Sequence, residues 1–151
     1  RAAFLVQWEV GERLAAAPGD SEYGALSVLC AARAEVSLLG RVRRGAFRPP
    51  PKVDGAFVGF VLQPPPVPAE HWPGFVKTVQ LAFNQRRKTL RNALSAGWGR
   101  ESAERALAAA GLPANARAQE LGVGEFVALD RARRLTRGVA TGRRTQAVGL
   151  G

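Results

Sequence analysis

The sequence has few of the residues that build disulfide frameworks and metal centres. Its 151 residues include one cysteine, one histidine and no methionine. The single cysteine, Cys30, excludes an internal disulfide and any cysteine-cluster metal site. The single histidine, His71, excludes a histidine-rich site and argues against a Ser-His-Asp triad. We therefore expect no bound metal.

Long apolar runs and acidic residues are also scarce. The apolar stretches are no longer than a strand and no signal-peptide pattern opens the chain, so we expect a cytoplasmic protein without a membrane span. Twelve Asp and Glu stand against 22 Lys and Arg, which leaves a formal net charge of +10. This excess favours a polyanionic partner such as nucleic acid, although biased residue usage would produce it too.

An initiator methionine is missing as well. The chain begins at Arg1, and residues 3–6 already form an apolar run without polar alternation. Such a run is typical of a strand that is covered on both faces. We therefore expect that sequence upstream of Arg1 has been lost.

Periodicity and prolines divide the chain into two parts. Residues 3–6 are a predicted strand and 8–17 a helix; Asp20 or Ser21 would cap a second helix to residue 32, and strands follow at 34–42 and 53–62. The connection between the last two strands is short, so we expect them to pair antiparallel. Residues 1–63 therefore indicate an incomplete α/β sheet.

The proline-rich residues 64–69 are the predicted linker, because polyproline is stiff and donates no ladder hydrogen bonds. Helical spacing follows at 70–84, 87–95, 101–110 and 123–135. Residues 70–135 are thus a predicted small helical domain. Residues 136–151 are polar and aperiodic, and we expect a disordered tail there.

An aromatic residue occupies the proline-rich segment between the last two strands. Phe47 stands between Gly45 and three successive prolines, whose backbone has little freedom. A ring held in this way suits stacking on a nucleobase, with phosphates held by the neighbouring cations Arg43, Arg44, Arg48 and Lys52. Alternatively Phe47 closes the end of the sheet as a core residue, which the pattern alone slightly favours.

A second basic segment spans residues 84–92. On a helix from residue 87, Arg87, Lys88 and Arg91 would share one face, where like charges repel. No acidic residue lies between Glu70 and Glu101 to neutralise them. We expect this face to contact RNA or DNA. The candidate contacts are Gln85, Arg86, Arg87, Lys88, Arg91 and Asn92.

Three motifs in one order resemble the later motifs of the small-subunit rRNA adenine dimethyltransferases of the KsgA (RsmA) type. They are F-L-V-Q-W-E-V-G-E-R-L from residue 4 with Y-G-A-L-S-V from residue 23, G-A-F-R-P-P-P-K-V-D from residue 45, and F-N-Q-R-R-K-T-L-R-N from residue 83. The resemblance extends from about residue 4 to residue 135.

The resemblance implies an α/β fold: the carboxy-terminal part of a Rossmann-like methyltransferase sheet, followed by a small all-helical domain. It implies S-adenosylmethionine-dependent N6,N6-dimethylation of two adjacent adenosines near the 3′ end of small-subunit rRNA, on a 30S precursor, by a monomer. Phe47 would stack on the flipped target adenine, and residues 85–92 would contact the rRNA. The cofactor-binding motifs would precede Arg1, so no cofactor residue is assigned and the chain alone is expected to be inactive.

Two positions depart from that family. Trp8 replaces an expected lysine or arginine, and Gly55 replaces a usual serine. Tryptophan at position 8 slightly favours a resemblance to the related macrolide-resistance methyltransferases, which modify large-subunit rRNA. An alternative hypothesis, from a different class of function, is that the chain is a non-catalytic RNA-binding module that assists ribosome assembly.

Overall fold

The computed structural model describes the backbone of residues 1–147 and the surroundings of side chains up to residue 139. It divides into two compact units between Ala69 and Glu70. This division falls at the end of the proline-rich segment 64–69.

The first unit contains a three-stranded antiparallel sheet. Its strands are β1 (Ala2–Gln7), β2 (Ala34–Val42) and β3 (Gly55–Leu62), in the order β1-β3-β2. The antiparallel pairing of β2 with β3 is confirmed, in a register that brings Ala34 opposite Leu62 and Val42 opposite Gly55. A bulge between Leu38 and Gly40 interrupts that register.

Two helices, α1 (Trp8–Ala15) and α2 (Ala25–Arg33), belong to the same unit. The α1 backbone lies directly against β3, because a Cβ atom on Gly11 would come within 2.7 Å of the Cβ of Ala56. Ala56 and Val58 beneath it are fully buried. A glycine at position 11 therefore sets how closely the helix approaches the sheet.

The opposite face of the sheet is exposed. Leu5, Phe57 and Val61 keep 45%, 44% and 41% of their surface accessible. Leu5 and Phe57 are register partners, and the Leu39 side chain lies over Gly59 between Phe57 and Val61, so these side chains form a continuous apolar face. The described residues do not provide the expected cover on both faces of β1, and most of that strand is exposed.

Helix α2 starts later in the chain than predicted, because neither of the expected cap residues, Asp20 or Ser21, begins it. The Asp20 carboxylate accepts a hydrogen bond from the backbone N–H of Ala17 at 2.8 Å and so closes a turn. Helix α2 begins after Gly24, whose N–H donates to the Ser27 hydroxyl at 3.2 Å. Asp20 thus stabilises the turn before the helix and does not cap it.

The second unit is helical, with α3 (Trp72–Phe83), α4 (Leu90–Trp98), α5 (Arg100–Ala109) and α6 (Val123–Ala147). Its apolar core includes Phe75, Val79, Leu94, Leu107, Phe126 and Leu129. Asp130 is the buried acid of this core. It accepts a hydrogen bond from the Thr78 hydroxyl at 3.0 Å and pairs with Arg134.

Two expectations for this unit differ from the structure. Helix α4 begins at Leu90, because Thr89 caps it by accepting from the N–H of Asn92 at 3.4 Å; residues 84–88 form turns before it. Helix α6 continues to Ala147, where disorder was expected from Thr136. These residues extend a helix that is already formed, and extending a helix costs far less than starting one. The remainder of the expected tail, 148–151, lies outside the described residues.

None of the described helices is both long and apolar enough to cross a membrane. Across the same residues, His, Cys, Asp and Glu do not gather in groups of three or more that could hold a metal ion.

Candidate functional site

The loop between β2 and β3 is organised around Asp54. One carboxylate oxygen accepts the backbone N–H of Arg44 at 2.8 Å, and the other accepts Nε of Arg41 at 2.9 Å. The Arg44 N–H, and after it the Arg41 guanidinium, lowers the pKa of Asp54 below its usual value. Asp54 therefore joins the two ends of the loop while it stays ionised.

Trp8 adds a third side chain to this arrangement. The guanidinium of Arg41 lies 4.5 Å from the centre of the Trp8 ring, and the backbone N–H of Trp8 donates to the backbone carbonyl of Asp54 at 2.9 Å. We call Trp8, Arg41 and Asp54 the loop clamp. It lines an open cleft of about 390 Å³ together with Glu9, Arg44, Lys52 and Val53.

Phe47 lies on the loop that the clamp holds. It follows a single 3-10 turn, Arg44–Ala46, and its N–H donates to the Arg44 carbonyl at 3.3 Å. Phe47 is half-buried. Its exposure therefore lies between that expected of a fully exposed stacking ring and that of a core residue. The Arg48–Pro49 peptide bond that follows is cis.

The cations predicted around Phe47 separate into two groups. Arg44 and Lys52 line the cleft with the loop clamp, whereas Arg43 and Arg48 are exposed and do not line it. Sequence reasoning did not connect Trp8, Arg41 and Asp54 with one another. The sequence does place an arginine and an aspartate at opposite ends of one short loop. An ion pair between two such residues can hold the ends of the loop together, and this pattern could have indicated the contact.

In the second unit, residues 84–89 form a turn that we call the basic turn. Arg86, Arg87 and Lys88 are exposed there, and the N–H of Lys88 donates to the Gln85 carbonyl at 2.9 Å. The prediction that Arg87 and Lys88 share a helix face with Arg91 is wrong, because the Thr89 cap starts the helix after them.

Arg91 is partly neutralised within the protein. Its Nη1 lies 3.9 Å from a carboxylate oxygen of Glu104, which also accepts Nε of Arg100 at 3.1 Å. We expected that no acidic residue would neutralise this segment. For Arg91 that expectation was wrong, because Glu104 of helix α5 lies close to it in the folded unit. Nε of Arg91 is buried without a hydrogen-bond partner. The side chain of Asn92 is exposed, while its N–H serves the α4 cap.

A further cation flanks the basic turn and was not singled out from the sequence. The N–H of Leu90 donates to the Ala116 carbonyl at 2.7 Å, which ties the loop before residue 118 to the start of α4. Arg117 follows directly and is exposed. Only the folded backbone brings this arginine close to the basic turn.

Two solved structures share this architecture. A dimethyladenosine transferase from Plasmodium falciparum matches 84% of this chain and 54% of its own, with a TM-score of 0.66 and 20% identity. The 23S rRNA methyltransferase ErmE matches 87% of this chain and 54% of its own, with a TM-score of 0.59 and 22% identity. The fold is therefore that of the carboxy-terminal part of an α/β methyltransferase, as the sequence indicated.

The sequence defines the family more narrowly. The model of the ribosomal RNA adenine dimethylase family matches residues 1–131, and the chain belongs to that family. Proteins named ribosomal RNA small subunit methyltransferase A are 46% identical over 134 residues in Anaeromyxobacter dehalogenans and 45% identical over 128 residues in Syntrophotalea carbinolica. The matches cover 87% and 83% of this chain but 47% and 48% of those proteins. The chain thus spans about half the length of the curated relatives it matches.

Proposed function

We propose that this chain is the rRNA-binding part of an enzyme that dimethylates two adjacent adenosines near the 3′ end of small-subunit rRNA. The observation that carries the proposal is the family match over residues 1–131, which includes both the Phe47 loop and the basic turn. The relatives' names point to the small subunit. The whole enzyme would act as a monomer in the cytoplasm, on a 30S precursor.

Phe47 is proposed to stack on the target adenine. An adenine inside a helix is out of reach of a methyl donor, so it has to be extruded and then held. A half-buried ring can offer one face to a base while its other face rests on the protein. The loop clamp would limit movement of that ring, which matters because small errors of position slow a transfer reaction strongly.

The surrounding cations are proposed to hold RNA phosphates. Arg44 and Lys52 in the cleft, and Arg48 beside it, would bind the backbone next to the extruded base. In the helical unit, the exposed side chains of Arg86, Arg87 and Lys88 would contact a further stretch of backbone, with hydrogen bonds from Gln85 and Asn92. Arg91 would contribute less, because Glu104 already shares its charge.

The methyl donor of such enzymes is S-adenosylmethionine, which would supply a methyl group to the exocyclic N6 of the adenine. Nucleotide-like cofactors bind where a strand leads through a glycine-rich turn into a helix. In the described residues β1 passes directly from Gln7 into α1 without glycine, and all three strands are antiparallel. These residues do not fit the cofactor, so we assign no cofactor contact to them. By themselves they would bind and orient RNA but not methylate it.

A chimaera tests the proposal. The carboxy-terminal half of the Anaeromyxobacter dehalogenans relative is replaced by this chain, and transfer of labelled methyl groups to 30S precursors is measured. We expect N6,N6-dimethyladenosine to form. Phe47→Ala should lower the rate about 100-fold, a loss typical of a mispositioned substrate.

Two further variants separate stacking from core packing. Phe47→Trp keeps an aromatic face, whereas Phe47→Leu keeps only apolar bulk. Stacking predicts activity in the Trp variant and loss in the Leu variant; recovery by Leu alone would identify Phe47 as a core residue.

Label in large-subunit rRNA would favour the macrolide-resistance type. RNA binding without label on either RNA would favour a non-catalytic module.

A further inference from the structure

A second group of arginines lies on the helical unit, away from the basic turn. The guanidinium of Arg133, on α6, lies 5.0 Å from the centre of the Trp98 ring at the end of α4. The basic turn precedes Leu90 at the other end of the same helix. At 1.5 Å per residue, the two ends of α4 are about 12 Å apart.

Two more arginines are close enough to act on Arg133. Partial burial lowers the pKa of Arg133, and the positive charges of Arg137 and Arg105 lower it further. Arg137 follows one turn later on α6, and Arg105 comes from the neighbouring helix α5. Glu101 lies 3.8 Å from Arg105 but is itself highly exposed, so water screens the pair.

Folding therefore brings the positive charges of Arg133 and Arg137 on α6 and of Arg105 on α5 close to one another, next to the Trp98 ring. Partial burial of Arg133 adds a desolvation cost to that repulsion. An anion bound between the guanidinium groups would offset both costs. Each guanidinium presents a planar fork of donors that matches two phosphate oxygens.

We propose that Trp98, Arg105, Arg133 and Arg137, here called the α4–α6 patch, bind the phosphate backbone of RNA as a second contact surface beside the basic turn. The inference rests on the proposed function in taking RNA as the polyanion. All the cations of the patch are arginine, which binds phosphate bidentately and stacks on aromatic rings. Carboxylates fit the same forks, so the choice of RNA over an acidic protein rests on the proposed function.

Fluorescence anisotropy with a labelled RNA hairpin tests this proposal on the 151-residue chain, over a range of salt concentrations. Arg105→Gln with Arg133→Gln should weaken binding about tenfold at low salt. The dependence of log Kd on log salt should become shallower by about 1 to 2, since two phosphate contacts are lost. The matched control is Lys77→Gln with Arg131→Gln, which removes two exposed charges elsewhere on the unit.

The outcomes are distinct. A shallower salt dependence in the patch variant but not in the control supports the proposal, and equal changes in both would mean that only net charge matters. Arg87→Ala with Lys88→Ala reports on the basic turn: if it alone weakens binding, the patch proposal fails and the proposed function stands. If the native chain does not bind RNA, both fail. Displacement of the RNA by polyglutamate only when the patch is intact would assign the patch to an acidic protein. Thermal unfolding confirms that each variant is folded.

Discussion

At the scale of single residues, Asp54 has the clearest consequence. Its pKa is lowered in the folded chain, so its stabilising effect is complete above the unfolded-state pKa of about 4 and is lost as the pH falls through the lower folded value. We expect Asp54→Asn to be less stable than the native chain at pH 6, and the difference to shrink as the pH falls below about 4. Asparagine can still accept the Arg44 N–H but carries no charge for Arg41.

The measurement uses Trp8 as a local reporter. The chain has three tryptophans, so Trp72→Phe with Trp98→Phe leaves only the ring that lies under Arg41. Urea midpoints read from its fluorescence at several pH values should converge for the native and Asp54→Asn proteins in acid. Glu70→Gln, which alters an exposed acid elsewhere, is the control. A constant difference at all pH values would contradict an ionic role for Asp54.

At the scale of elements, the contact between α1 and β3 depends on Gly11. Alanine would gain up to about 1 kcal/mol of helix propensity, but its Cβ would lie 2.7 Å from that of Ala56, which is fixed to the backbone. Overpacking of this kind costs about 1 to 3 kcal/mol. We expect Gly11→Ala to lower the free energy of unfolding by about 1 kcal/mol, measured with urea.

Gly138 provides the comparison, because it lies in α6 with open space where a Cβ would be. Gly138→Ala should leave the stability unchanged or raise it. If Gly11→Ala also raised the stability, the close approach of α1 to the sheet would not be the reason for that glycine.

Element positions were predicted best where hydrophobic pattern alone decides them. Strand β2 has the predicted bounds, and α1 starts where expected. The start of α4 was misplaced because a single hydrogen bond to Thr89 decides it, and arginines before that residue favour helix just as strongly as those after it. Continuation of α6 beyond Leu135 was missed because residues 136–139, the next ones whose burial is described, bury no apolar side chain, so periodicity carries no signal there.

At the scale of the whole molecule, the division of the chain could be anticipated but the site could not. Prolines indicate where one unit ends, since their effect is local. The loop clamp joins Trp8 to residues more than thirty positions away, and Glu104 reaches Arg91 from another helix. Such pairs depend on sheet register and helix packing, which one sequence does not reveal. The Phe47 loop and the basic turn could be singled out as candidates because their residues are adjacent in the chain.

The exposed face of the sheet leads to a prediction for the chain on its own. Leu5, Phe57 and Val61 form a contiguous apolar surface, and surfaces of this kind bind hydrophobic dyes or other proteins. We expect the 151-residue chain to enhance the fluorescence of anilinonaphthalene sulfonate while it is folded. Phe57→Gln should remove much of that signal without changing its circular dichroism. Leu135→Gln removes an apolar residue that is 62% exposed on α6 and should have less effect, because Val139, one turn later, is the only other large apolar side chain exposed on the described part of that helix. Dye binding that responds equally to both substitutions would mean that general loosening of the fold, and not this face of the sheet, binds the dye.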